Sequence, residues 1–310
     1  MSTATHGAPF AHPALFYRDE EQYTAGTVPF VRAGLAAGEA VAVAVPGPQL
    51  ELIRAGLGPS GAGVRFLDMT EVGRNPGRII PGVLRAFADA HADGGRVRII
   101  GEPIWPGRTA VEYPACVQHE ALINTAFRDR EVTILCPYDA DRLEPDVLAD
   151  ARATHPVVID GDAQLPSSAY DPQGVIARCN EPLPHPPGAA SIAFDAQELP
   201  KARYFAVQEA ERLGLAGVRL QDLTLAVAEL TTNSVLHGGG WGTLRIWAED
   251  ERIVCEVRDR GRLTDPLAGR RPPPRDQPGG RGLLLVHYVA DLVRVHTAPD
   301  GTTIRFYLAR

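Results

Sequence analysis

Apolar and polar positions along the chain follow two different rhythms. From residue 40 onward, apolar runs stand at 40–45, 64–67, 97–100 and 132–136, each short enough for a buried strand. Between them, residues 81–90 and 114–127 carry apolar side chains at helical spacing. Strands alternating with helices predict a parallel sheet covered on both faces, an α/β domain that ends near Pro156 or soon after. Residues 171–187 then hold Pro172, Pro182, Pro184, Pro186 and Pro187 without clear periodicity, which predicts a stiff linker. Beyond it the pattern gives a strand at 191–194, helices at 202–213 and 220–237, and strands at 243–248 and 253–258. A Pro/Gly/Arg-rich loop at 260–281, a helix at 282–290 and two closing strands complete an α+β domain. The expected division is 1–170, a linker at 171–189, and 190–310.

Composition fits two cores: 310 residues, 45% of them hydrophobic, are too many for one average domain. A formal charge of −7 argues against nucleic acid or an anionic membrane as the main partner and leaves small molecules and proteins. Cys116, Cys136, Cys179 and Cys255 show no ligand spacing and read as reduced thiols. No basic and apolar leader opens the chain, and no run approaches the ~20 apolar residues that cross a bilayer, so a cytoplasmic protein is expected. Lys201 is the sole lysine, so the first half cannot hold a P-loop, whose lysine reaches the phosphates.

The second half carries candidate chemistry. Glu229 and Asn233 stand four residues apart in the helix that ends at His237, so both project from one face. Alone, such a pair reads as a solvated polar face. Asp259-Arg260-Gly261 follows a strand directly, where a carboxylate can face a pocket and glycine permits close approach. Gly279-Gly280-Arg281-Gly282 opens an apolar helix, leaving amides and the helix dipole for a phosphate. Gly301-Thr302-Thr303 begins the last strand.

In their order and spacing these segments resemble the GHKL (Bergerat-fold) ATPases, and within them the anti-sigma-factor serine kinases: "AVAELTTNSVLHG" is similar to the N box, "VRDRG" and "GGRGLLLV" to the two glycine boxes, and "GTTIRF" to the final strand. The resemblance covers about 120 residues and implies a Bergerat-fold sandwich that binds ATP and Mg²⁺. It implies Glu229 as general base toward a serine hydroxyl, Asn233 as the Mg²⁺ ligand, and Asp259 as acceptor for the adenine amino group. Thr302, Gly261, Gly280, Arg281 and Gly282 would complete the nucleotide site, and His237 would touch phosphate or cap its helix with Gly238. The implied partners are an anti-anti-sigma protein of STAS type and a sigma factor, and a homodimer stays open. Leu263 stands where the family often has a second glycine. That departure keeps a catalytically silent, nucleotide-loaded switch in view, beside a histidine-kinase-like output domain. The lid arginines, Arg262, Arg270, Arg271, Arg275 and Arg281, either close on phosphates or form a solvated loop, the second being usual for such segments. No helix carrying a dimerisation histidine is visible, which argues against autophosphorylation on histidine.

The first half resembles a MEDS-type sensory domain, an α/β module with a RecA-like parallel sheet. The segments are "HPALFY" from His12, "GLAAGEAVAVAV" from Gly34, "GEPIW" from Gly101, "CPYD" from Cys136 and "ATHP" from Ala153. The resemblance implies a small organic ligand. Glu102 and Trp105 follow a strand at the carboxyl edge where open α/β sheets bind ligands, and form a candidate sensory pocket, with a packing tryptophan and a loop charge as the alternative. His12, His119 and His155 are too dispersed to suggest metal binding.

Overall fold

A computed structural model describes residues 10–271 and 280–310. The chain divides into two compact units, Met1–Cys179 and Asn180–Arg310. Pro272, Pro273, Pro274, Arg275 and Gly279, from the expected lid and glycine box, lie outside the described residues.

In the first unit, β1 (Phe10–Ala11) and β2 (Pro13–Tyr17) lead into α1 (Glu20–Ala36), whose N-cap Asp19 accepts from the Gln22 amide at 2.7 Å. β3 (Ala40–Val45), α2 (Gly47–Leu57), β4 (Arg65–Asp68) and α3 (Met69–Val72) follow. A π-helical segment, Ile79–Arg85, runs into α4 (Ala86–Ala90), so the expected helix at 81–90 starts earlier and is wider. Pro81 lies within that segment and has no amide hydrogen to give a regular α ladder. Then come β5 (Val97–Gly101), α5 (Tyr113–Ala126), β6 (Val132–Asp139), α6 (Pro145–Thr154), β7 (Val157–Asp160), β8 (Ala163–Pro166) and α7 (Pro172–Arg178).

The sheet order is β4-β3-β5-β6-β2-β7-β8, with β1 also paired to β6. Its described ladders are parallel except β7 with β8, so the expected parallel sheet ends in an antiparallel hairpin at one edge. Val41, Val43 and Val45 of β3 pack with Val31 of α1 and Leu50 and Ile53 of α2. Ala42 and Ala44, which point the other way, are equally buried, so the sheet is covered on both faces.

The expected linker is partly structured. Pro172 opens α7, Asp171 caps it by accepting from the Gly174 amide at 2.9 Å, and Val175 is buried. Proline suits the first turn, where its missing N–H would have no partner, so it marks a helix start here rather than a break. The boundary between units falls at Cys179 and Asn180.

Glu102, at the end of β5, is fully buried. Its Oε1 accepts from the Tyr17 hydroxyl at 3.0 Å and its Oε2 from Tyr23 at 3.2 Å. Burial pushes the carboxyl up to about 8 against those two hydrogen bonds, with Asp139 adding to the rise.

The second unit consists of β9 (Ala190–Asp195), α8 (Leu199–Arg212), α9 (Gly217–His237), β10 (Trp241–Glu249), β11 (Arg252–Asp259), α10 (Gly282–Val289), β12 (Leu292–Ala298) and β13 (Gly301–Ala309). All five strands pair antiparallel in the order β12-β13-β11-β10-β9. Leu244, Cys255, Val257, Phe306 and Leu308 face Ala206 of α8, Ala226 and Leu230 of α9 and Val286 of α10, making a two-layer α/β sandwich. Alternation puts Glu256 and Arg305 on the opposite face, where both are buried. Arg305 donates to Glu256 Oε2 through Nε at 3.1 Å and Nη2 at 2.6 Å, and Arg245 donates to Oε1 at 3.1 Å. Arg305 also holds the carbonyls of Leu183 and Pro184 at 2.9 and 2.8 Å, while Asn180 exchanges two hydrogen bonds with the Thr297 backbone. Residues 180–184 therefore form a strap on this face.

Two predictions follow from the buried charges. Removing Glu256 leaves two guanidinium groups facing each other, so Glu256→Ala should lower the second unit's unfolding free energy by about 3–5 kcal/mol; a change under about 1 kcal/mol in urea denaturation would show that the pair is dispensable. For Glu102, the unfolded carboxyl titrates near 4.5 and the folded one near 8, so the folded chain keeps a proton that the unfolded chain releases. Its contribution is full below about pH 4.5 and lost as pH rises to about 8. The urea midpoint of the native chain should fall relative to Glu102→Gln across that window, and a pH-independent difference would mean Glu102 is ionised throughout.

Candidate functional site

Helix α9 presents polar side chains in three directions. Arg203 of α8 reaches one, donating through Nη2 to Thr232 Oγ1 at 2.8 Å and to the Ala228 carbonyl at 3.3 Å. Ser234 serves the second, donating to Asp259 Oδ2 at 2.7 Å. Glu229 and Asn233, both half-buried, occupy the third and meet the start of α10. A Cβ on Gly282 would fall 2.5 Å from Glu229 Oε2 and 3.3 Å from Asn233 Nδ2, so glycine is what lets α10 begin there. Among the described residues neither Glu229 nor Asn233 makes a side-chain hydrogen bond or ion pair. A carboxylate, an amide and the amide-rich start of a helix thus converge with their polar atoms uncommitted.

The end of β11 adds the second half. Asp259 Oδ1 accepts from the Gly261 amide at 2.8 Å while Oδ2 takes the Ser234 hydroxyl, and each oxygen keeps a lone pair. The helix end and the strand end meet this closely because of Gly238 and Gly261. A Cβ on Gly238 would sit 2.4 Å from Asp259 Cγ, and one on Gly261 would sit 2.6 Å from the His237 carbonyl. Gly301 has φ 146°, and a Cβ there would be 2.1 Å from the Asp259 carbonyl.

Thr302 pairs with Asp259 across β13 and β11. Its hydroxyl donates to the Gly261 carbonyl at 2.8 Å and accepts from the Leu263 amide at 3.2 Å. That hydroxyl anchors the loop. Leu263, at the position of the missing glycine, spends its amide on Thr297 and Thr302 and rests its side chain on the core.

His237 is exposed, and the Gly238 amide closes α9 by donating to the Ser234 carbonyl at 2.8 Å. Gly280 and Arg281 are exposed at the start of α10. Of the other lid arginines, Arg262 is exposed, Arg271 pairs with Asp265 at 2.9 Å, and Arg270 is buried, which a wholly solvated loop would not give. The sequence gives no separate role to Ser234, and it names Gly238 and Gly301 only as a helix cap and a strand start. Each stands inside or beside the boxes, so the signal for them was adjacency.

In the first unit, the candidate sensory pocket rests on Glu102 and Trp105, whose surroundings differ. Glu102 is sealed under Tyr17 and Tyr23, and Trp105 is half-buried with the Arg108 guanidinium 3.9 Å over its ring. A cavity of about 340 Å³ lies instead among Phe10, His12, Asn124, Arg128, Tyr170 and Gln173. His12 and His155 do come together, with Glu120 and Cys136 and without His119. Their separation along the chain concealed this, although His12, Cys136 and His155 each lie in a segment that carried the sensory-domain resemblance.

No helix among the described residues is long and apolar enough to cross a membrane. Residues 192–308 match the family described as histidine kinase-like ATPase domain. Residues 11–156 match the family described as MEDS, the methanogen/methylotroph, DcmR sensory domain. No curated protein matches the chain. One similar solved structure is the catalytic domain of the histidine kinase ThkA in a nucleotide-free form, 15% identical, covering 39% of this chain and 97% of that one with a TM-score of 0.27. The chain joins a DcmR-type sensory domain at residues 11–156 to a histidine kinase-like ATPase domain at residues 192–308.

Proposed function

We propose that this chain is a signal-responsive anti-sigma factor and an ATP-dependent protein serine kinase whose substrate is an anti-anti-sigma protein of STAS type. The observation that supports this most is the meeting of Glu229 and Asn233 with Gly282 at the start of α10. Glu229 is the general base that takes the proton of the substrate serine as its oxygen bonds to the γ-phosphorus and the bond to ADP breaks. Asn233 offers one amide oxygen, which suits Mg²⁺, a hard cation that draws its remaining ligands from phosphates and water. Bound there, Mg²⁺ would neutralise phosphate charge. Asp259, held by Ser234 and Gly261, uses its spare lone pairs for the adenine amino group. Exposed Arg281 and the amides of Gly280 and Gly282 at the start of α10 take the phosphates. Control comes from a small organic compound at the first domain, and the sigma factor is the partner held in the alternate state.

Incubated with ATP, Mg²⁺ and the STAS protein, the full chain should yield phosphoserine. Glu229→Gln should slow transfer by about 10²–10⁴-fold while leaving ATP affinity within about threefold, as expected for loss of a general base. Asp259→Ala should abolish ATP binding in calorimetry. Undiminished transfer by Glu229→Gln removes the base from this scheme, and tight ATP binding without any transfer favours the nucleotide-loaded switch.

A further inference from the structure

Four side chains from separate parts of the first unit meet in its interior: His12 between β1 and β2, Glu120 on α5, Cys136 on β6 and His155 after α6. Each is at most 1% exposed, and one ligand atom from each lies within 4.8 Å of all the others.

The surroundings fix which nitrogens carry protons. Asn124 donates through Nδ2 to the Glu120, Ala121 and Thr154 carbonyls, the last at 2.8 Å, so its Oδ1 must be the acceptor facing His12 Nδ1 at 3.2 Å. His155 Nδ1 lies 2.8 Å from the Ala151 carbonyl, which can only accept. Both imidazoles therefore carry a proton on Nδ1 and, in the neutral form that binds a metal, turn the Nε2 lone pair inward. There, His12 Nε2 and His155 Nε2 each stand 3.3 Å from Glu120 Oε2, and His12 Nε2 is 3.4 Å from Cys136 Sγ.

Among the described residues, both Glu120 oxygens and His155 Nε2 lack a hydrogen-bond partner. A carboxylate facing two nitrogen lone pairs away from water is unfavourable unless a cation lies between them. One proton can satisfy only one of these contacts. A metal ion satisfies all of them. Tetrahedral zinc bound at about 2.0–2.3 Å has ligand–ligand edges of about 3.3–3.7 Å, the separation already present in three of the contacts.

We infer that His12, Glu120, Cys136 and His155 form a tetrahedral site for a zinc-class transition-metal ion within the sensory domain. Imidazole, carboxylate and thiolate together suit such a cation and not Mg²⁺ or Ca²⁺. Asn124 and the Ala151 carbonyl orient the imidazoles from behind, as outer partners of metal-bound histidines do. On binding, the Cys136 thiol loses its proton to solvent and its sulfur bonds the metal. Four protein ligands make the site structural, and His12 with Asn124 also lines the cavity through which the ion enters. The site is independent of the kinase reading.

The test uses the full chain, stripped with chelator, without nucleotide, and titrated with Co²⁺. One equivalent should bind with the intense visible bands of tetrahedral cobalt and a near-ultraviolet thiolate-to-cobalt band, and Zn²⁺ should displace it. Cys136→Ser should lose the thiolate band, and Asn124→Ala should weaken Zn²⁺ binding by about 10–100-fold. Zn²⁺ should also raise the thermal midpoint of the native chain, a readout that does not require any variant to fold. Absence of stoichiometric cobalt uptake overturns the site, as do uptake without the thiolate band and a thiolate band that survives in Cys136→Ser.

Discussion

Removing a carboxylate from water is the step that most constrains this protein, because an unmatched buried charge costs more than most single contacts return. The chain meets the constraint with different chemistry at each place. Glu256 is gripped by Arg245 and Arg305 and has little capacity left for anything but architecture. Glu102 has only tyrosine hydroxyls, and burial wins. Asp259, half-buried, is held by one hydroxyl and one backbone amide, which orient it without neutralising it. The weakness of its partners suits a group meant to face a ligand, since a strong ion pair would have to be broken first.

The second unit's site is built as much from missing side chains as from those present. Gly238, Gly261 and Gly301 let the end of α9, the end of β11 and the start of β13 converge, and Gly282 brings α10 onto Glu229 and Asn233. Held a Cβ further apart, those backbones would part Asp259 from the end of α9, and α10 from Glu229 and Asn233.

What could be read from the sequence was what repeats locally. The run at 40–45 became β3 without adjustment, and the helix bearing Glu229 and Asn233 differs from expectation only at its start. Alternation and helical spacing are physical periods that a short window captures. The α1, α2, β2 and α6 elements went unassigned, and Pro172, placed in a stiff linker, opens α7. The cluster of His12, Glu120, Cys136 and His155 was beyond reach for another reason: parallel strands joined by crossover helices bring distant residues together with no trace in local spacing. Thr302 was legible only as a residue of the nucleotide site; its hydrogen bonds to Gly261 and Leu263 depend on a loop that periodicity does not describe.

Strand β13 carries Thr302 on its helix-covered side and, three residues on, Arg305 on the side that holds the strap at 180–184. An odd spacing in a strand places two side chains on opposite faces. One rigid segment therefore fastens the loop beside Asp259 at one surface and the incoming chain at the other. A strand paired on both sides along its length resists bending, so the two fastenings are held at a fixed separation rather than across a hinge.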